Sequence, residues 1–386
     1  MERIYLDHAC TSFPKPACVA EAVMKQLTGN AVNVNRGGYA EAYEAENLVF
    51  DTRQKLCSLF RGPDPSQVVF TKNVTESLNF VIKGLLRPGD HVIVSSMEHN
   101  AVMRPLTQLT AAGVTFDRIS CAADGSLDPD DLRKHLRPAT KAIVTLHASN
   151  VCGTILPIEA IGAFAHENGL FYAVDAAQTA GILPIDMQKA HVDALCFTGH
   201  KGLGGPQGIG GFLLAPGAEK RLEPLISGGT GSISHTENVP DFMPDRFEAG
   251  TPNLPGIAGL SAALDRLADI GTAAVFDHER KLTERFLNGL LPLEQSGRLK
   301  IIGKKTSEGR VGVVSIQTEK TGLSELAFRL ENEYGILTRV GLHCAPAAHR
   351  TLGTYPTGTI RFSFGYTNTE EEIDTALTAL AALLEG

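Results

Sequence analysis

A lysine stands inside a glycine-rich run, Phe197-Thr198-Gly199-His200-Lys201-Gly202-Leu203-Gly204-Gly205-Pro206, directly after an apolar segment with strand character. At the end of a parallel strand such an amine points into the crevice where α/β proteins bind ligands, and Thr198 and His200 beside it offer donors to an anion. A lysine so placed can form a covalent bond to an aldehyde cofactor. An ordinary surface turn would read much the same, whereas a nucleotide phosphate loop would need the GxxxxGK[ST] spacing, which is absent. Upstream, Tyr172-Ala173-Val174-Asp175-Ala176-Ala177-Gln178 ends another apolar strand on an acid. A poorly solvated carboxylate there can keep a pyridine nitrogen protonated, and Gln178 can reach the same ring; the plainer alternative is that Asp175 caps a helix. Thr71-Lys72-Asn73-Val74-Thr75-Glu76-Ser77 supplies a strand end and a helix start, hence free N–H groups and the Thr75 hydroxyl for a phosphate. Glu76 would repel that phosphate and contributes only its backbone amide. His99, after another strand, can stack on a flat ring or shuttle a proton.

Positioning these groups requires a regular frame. From about Gln67 to Leu214 short β-branched runs (QVVFT, HVIVSS, VTFDRIS, KAIVTLHAS, LFYAVDA, DALCFTG, IGGFLLA) alternate with helical patterns, including one after Asp128. That alternation favours parallel strands joined by crossover helices. Turn signals at Arg87-Pro88-Gly89-Asp90, Ala123-Asp124-Gly125 and Asn168-Gly169 end the helices. Past Pro255 long amphipathic segments give way to a smaller α+β pattern: VGVVSI, a helix from Leu323, ILTRVG, TIRFSF and a last helix from Glu370. Residues 227–255, rich in Gly, Pro, Ser and Thr, read as an inter-domain or inter-subunit connection. The expected division is 1–20 with the small domain, 21–254 as the large domain and 255–386 as the small one.

With 386 residues, 43% of them hydrophobic and 20% charged, the chain is long enough for a large and a small domain and is no disordered or coiled-coil protein. The net charge of −8, without a dense basic block, disfavours nucleic acid and anionic membrane as partners. Neither a signal peptide nor a membrane span is indicated, and seven cysteines without CxxC or zinc spacing read as reduced thiols of a cytoplasmic protein. No metal site is expected.

Taken in order, Tyr5-Leu6-Asp7-His8-Ala9, Asn33-Val34-Asn35-Arg36-Gly37, Asn73-Val74-Thr75-Glu76-Ser77, Glu98-His99-Asn100, Ser149-Asn150-Val151-Cys152-Gly153, Asp175-Ala176-Ala177-Gln178, Thr198-Gly199-His200-Lys201 and Phe247-Glu248-Ala249-Gly250-Thr251-Pro252 resemble the class V aminotransferase-like pyridoxal phosphate enzymes of fold type I. Within these the chain is most similar to the cysteine desulfurases and selenocysteine lyases, and Arg339-Val340-Gly341-Leu342-His343-Cys344-Ala345-Pro346 looks like the RxGxHC segment of the second desulfurase group. The resemblance implies an α/β fold with a mostly parallel seven-stranded sheet and a smaller α+β C-terminal domain. It implies pyridoxal 5'-phosphate held covalently by Lys201, with Asp175 on the pyridine nitrogen, His99 stacked on the ring, and Gln178 and Asn150 near the phenolic oxygen. Thr75, Glu76, Thr198 and His200 would hold the phosphate, joined by Thr251 from a neighbouring subunit of a homodimer. Arg361 would clamp the substrate carboxylate, with Asn150, Arg339 and Ala9 around it. Cys344 would take sulfur or selenium from the substrate as a persulfide-type adduct, leaving L-alanine, with His343 and Arg339 supplying positive charge. An acceptor protein for that sulfur would be a further partner.

His8 stands where that family usually has asparagine or serine, Cys10-Thr11-Ser12 follows it, and Leu342 replaces a polar residue; all three border the substrate pocket. These departures leave open the choice between cysteine and selenocysteine. Two other readings compete: a class V aminotransferase or C–S β-lyase in which Cys344 is a bystander, and a binding protein that kept the fold, disfavoured by Lys201, Asp175 and His99 together.

Overall fold

The computed structural model describes residues 3–29, 32–34, 37–233 and 235–385. Asn35 and Arg36 of the second motif lie outside them.

The seven β-branched runs form one sheet in the order Val68–Thr71, Gly210–Leu214, Ala194–Thr198, Phe171–Asp175, Thr140–Leu146, His91–Ser95, Thr115–Ile119. All neighbouring pairs among the last five are parallel, and Gly210–Leu214 alone runs against the rest. Strands such as Phe171–Asp175 and Ala194–Thr198 are buried at every residue. Their unbroken apolar pattern follows from helices covering both faces. Two apolar cores result, one on each side of the sheet, the first gathering Ile93, Ile143 and Leu195 and the second Val92, Val144 and Phe212. The sheet and the helices on it give an α/β fold, as the alternating pattern predicts.

Beyond it, Arg339–Gly341, Thr359–Ser363, Val313–Gln317 and Lys300–Ile302 make an antiparallel four-stranded sheet in that order. Helices Thr272–Gln295, Leu323–Tyr334 and Glu370–Leu383 cover it around Phe286, Leu330 and Leu380. The strand Ile4–Tyr5 pairs in parallel with Ile336–Leu337, so Ile4 and Leu6 join this core. Helix Leu254–Ile270 instead buries Ile257, Leu260 and Leu264 in the first core of the large sheet.

The segment after Asp128 is a 3-10 turn over Pro129–His135 and not an α-helix. Asp128 caps it by accepting from the Asp130 amide at 3.0 Å, and Leu132 is its buried residue, too little apolar surface to hold a longer helix.

Candidate active site

The C-terminal ends of the central strands converge on Lys201. Asp175 closes the strand Phe171–Asp175, and Thr198 closes the adjacent Ala194–Thr198. The turn that follows must be glycine-rich because the chain folds hard against its neighbours: the Gly199 amide donates to Ile209 O at 2.9 Å, and a Cβ on Gly202 would sit 2.6 Å from Ala180 O. The turn leaves Lys201 half-buried, and burial pulls its amine down to about 8, opposed by Asp175 and reinforced by Arg361. Asp175 is buried and accepts from the Ala177 amide at 2.9 Å; burial raises its carboxyl above the ordinary range.

The anion donors gather at the same end. The Thr198 hydroxyl and His200 Nδ1 are buried without a hydrogen-bond partner. Asn73 caps helix Val74–Leu85 by accepting from the Glu76 amide at 3.0 Å, while the Glu76 carboxylate accepts from the Lys72 amide at 2.6 Å. The Glu76 amide expected to face a phosphate is therefore engaged by the cap, and the helix start presents Thr75. His99 caps the next helix, Nδ1 accepting from the Ala101 amide at 3.0 Å. Burial, then the Lys201 and Arg339 charges, lower its ring to about 4. A neutral imidazole with Nδ1 occupied presents a flat face and one N–H, and it does not titrate near neutral pH.

The small sheet supplies the opposite wall. Arg361 is almost wholly buried: its terminal nitrogens donate to Asp7 Oδ1 at 2.5 Å and to Asn150 O at 3.1 Å, and its Nε is left unpartnered. Each terminal nitrogen keeps a second N–H and Nε its single one, so three of the five guanidinium donors are left for a carboxylate. Asn150 donates from Nδ2 to His343 O at 2.7 Å, leaving its own Oδ1 unpartnered. Gln178 donates to Ala9 O at 3.1 Å, and the Ala9 amide donates to Ser363 Oγ at 2.9 Å, so the Asp7–Cys10 turn is fixed between the two sheets.

Cys344 lies in the turn after strand Arg339–Gly341 and is exposed. His343 and Cys344 both adopt left-handed backbone, at φ 48° and 57°. Left-handed residues other than glycine are uncommon and are held in place by their surroundings. Here the Asn100 amide donates to Cys344 O at 2.9 Å and Asn150 holds His343 O. Arg339 donates toward Cys344 Sγ at 3.9 Å. His343 does not supply the positive charge expected of it: it is buried, hydrogen-bonded to Thr359 at 2.9 Å, and burial with Arg361 nearby pushes its ring down to about 2.

Thr251 lies apart from this cluster, exposed at a cavity of about 440 Å³ that Lys72 and Glu76 also line. Glu98, which stands with His99 in the sequence motif, is given no role of its own there. It is fully buried, accepts from the Leu146 amide at 3.0 Å and from the Ser95 hydroxyl, and burial raises it to about 8. Its place in the short turn after the His91–Ser95 strand, one residue before His99, was the available signal.

A family model described as aminotransferase class-V matches residues 4–376. The chain belongs to that family. It is 32% identical to a probable cysteine desulfurase from Methanothermobacter thermautotrophicus, over 96% of this chain and 92% of that one. A probable cysteine desulfurase from Pyrococcus abyssi is 34% identical over 100% of this chain and 95% of its own length. Among solved structures, the apo cysteine desulfurase from Thermococcus onnurineus superposes with a TM-score of 0.93 at 32% identity, covering 100% of this chain and 95% of that one. The cysteine desulfurase CsdA from Escherichia coli gives 0.87 at 31% identity, over 99% and 95%. Among the described residues no helix is long and apolar enough to cross a membrane.

Proposed function

We propose that this class V enzyme is a pyridoxal phosphate-dependent cysteine desulfurase that converts L-cysteine to L-alanine and takes the sulfur onto Cys344. The observation that carries the reading is the exposed Cys344 thiol, held by a left-handed turn that Asn100 and Asn150 pin, with Arg339 reaching both this sulfur and the field of Lys201.

The donors fit a phosphorylated pyridine. Thr198 Oγ1 and His200 Nδ1 are buried polar atoms in want of a partner, with Thr75 at a helix start, and Asp175 is a buried acid on the neighbouring strand. Bound there, pyridoxal phosphate would supply an aldehyde to hold the amino acid and a ring to accept electrons from its α-carbon. Asp175 would keep a proton at the pyridine nitrogen, and His99 would cover the ring face. Lys201, at about 8, has a sizeable neutral fraction near neutral pH and can take the α-proton and return it at Cβ. Arg361 would orient the carboxylate through its remaining N–H donors, on a guanidinium fixed by Asp7 and Asn150 O. Cys344 Sγ would then attack the substrate γ-sulfur: the S–S bond forms as the Cβ–S bond breaks. Selenocysteine would present a weaker bond to the same thiol.

Arg339 and Ala9 complete the substrate wall, and a second copy of the chain would bring its Thr251 to the phosphate. We further propose residues 1–20 and 271–386 as the small domain and 21–270 as the large, the boundary lying past helix Leu254–Ile270 because that helix packs in the core of the large sheet, with the protein working in the cytoplasm and passing sulfur to an acceptor protein.

The test is Cys344→Ala. Alanine formation from cysteine is expected to fall at least a hundredfold while cysteine still shifts the cofactor absorbance. Undiminished alanine or sulfide release would point to an aminotransferase or β-lyase instead.

A further inference from the structure

The guanidinium of Arg339 has two sulfur partners. Its Nη2 points to Cys344 Sγ at 3.9 Å, and its Nη1 points to Cys10 Sγ at 3.4 Å. Cys10 is partly buried on the Asp7–Cys10 turn, whose Cys10 amide donates to Asp7 O at 3.0 Å. That turn is clamped from both sides, by Gln178 on Ala9 O and by Ser363 on the Ala9 amide. Cys344 is fixed just as firmly, through its own carbonyl and that of His343. Arg339 sits between them on a strand paired residue for residue with Arg361. Two rigidly mounted thiols thus share one cation beside the same crevice.

We propose that Cys10 is a second sulfur carrier, which receives the terminal sulfur from the Cys344 persulfide. The inference rests on the desulfurase reading of Cys344. Cys10 thiolate attacks the outer sulfur of Cys344–S–SH; the new bond is Cys10 Sγ–SH, the bond broken is Cys344 Sγ–S, and Cys344 leaves as thiolate. The proton stays on the transferred sulfur, no net oxidation or reduction occurs, and no outside reductant is consumed. Thiol exchange speeds up when the leaving sulfur is stabilised as an anion. Arg339 lies against the leaving sulfur and the attacking sulfur alike, so the negative charge moves from one nitrogen of the guanidinium to the other and never leaves its field. Attack on the inner sulfur would instead expel hydrosulfide and lock both cysteines into a disulfide, away from the nitrogen that faces Cys344. The consequence is a site that stores two sulfur atoms: Cys344 is cleared for a second substrate while the first sulfur waits on Cys10, the less exposed of the two.

The experiment is a single-mixing assay of the holoenzyme with excess cysteine and no reductant, counting alanine per chain and mapping persulfides by alkylation and peptide mass spectrometry. The wild type is expected to release two alanines per chain in the burst, with persulfide on the Cys10 and Cys344 peptides. Cys10→Ala and Cys10→Ser, checked for unchanged cofactor absorbance and far-ultraviolet dichroism, are expected to release one and to carry persulfide on Cys344 alone. A burst of one in the wild type and in both variants overturns the relay while leaving the desulfurase reading in place. So does a Cys10–Cys344 disulfide with an equivalent of hydrosulfide, or second-sulfur label on Cys18, Cys121 or another cysteine. No burst at all in the wild type, or an undiminished one in Cys344→Ala, overturns the desulfurase reading and the relay with it.

Discussion

At the scale of single residues, burial sets protonation here more than charge pairing does. Lys201 is lowered to about 8, chiefly by burial. Because the protonated amine is not nucleophilic, cofactor-free protein is expected to bind pyridoxal phosphate covalently at a rate that rises about tenfold per pH unit below 8 and levels off above it. Stopped-flow absorbance from pH 6.5 to 9.5 measures this. Asp175 raises the lysine, so Asp175→Asn should move the midpoint downward. A midpoint near the ordinary 10.5 would show that the amine is solvated. Glu98 gives a stability test with its own sign. Its folded value is about 8 against an ordinary 4.5, so between those values the native state holds more protons than the unfolded chain, and stability must fall as pH rises through that window. Glu98→Gln is expected to flatten the fall, seen as a smaller difference between urea midpoints at pH 5 and pH 8 than in the wild type.

At the scale of elements, one ion pair fixes the edge strand that leads to the Thr75 helix. Arg53, buried on helix Ala40–Leu59, pairs with Glu248 at 2.6 Å and donates to Val68 O, while Glu248 accepts from the Phe70 amide at 2.6 Å. Arg53→Leu would strand the half-buried Glu248 carboxylate, a change that typically costs about 3–5 kcal/mol. Urea unfolding should report that loss, and Arg53→Leu with Glu248→Gln should recover part of it. None of this pairing was legible in the sequence, where 195 positions separate the partners. The strands were legible, because each is a β-branched run closed by a turn signal, and so were the helices after Leu254, whose apolar periodicity is long. Lys300–Ile302 was missed because three residues carry no period. Lys201, Asp175 and His99 could be read from strand-end position, but the neutrality of His99 and His343 could not, since it comes from distant segments packing around them. Cys10 showed only as a departure from an expected motif; its meaning appears when Arg339, 329 positions away, reaches its sulfur.

At the scale of the whole molecule, Thr251 decides whether one chain makes a complete site. It is exposed at a cavity lined by Val34, Phe50, Ile226 and Phe247, and Phe50 and Ile226 leave about half of their surface open, at 51% and 48%. Such exposed apolar groups fit the proposed dimer, in which a second copy of this chain would carry Thr251 across to the phosphate donors. Mixing tests that geometry directly. Lys201→Ala and Thr251→Ala chains each lack one group, but in a mixed dimer one of the two sites takes Lys201 from one subunit and Thr251 from the other. Random reassociation makes half of all dimers mixed, so about one quarter of the sites should regain wild-type cofactor affinity and alanine formation. If Thr251 acts within its own chain, mixing restores nothing, and the affinity of the population stays the average of the two parents.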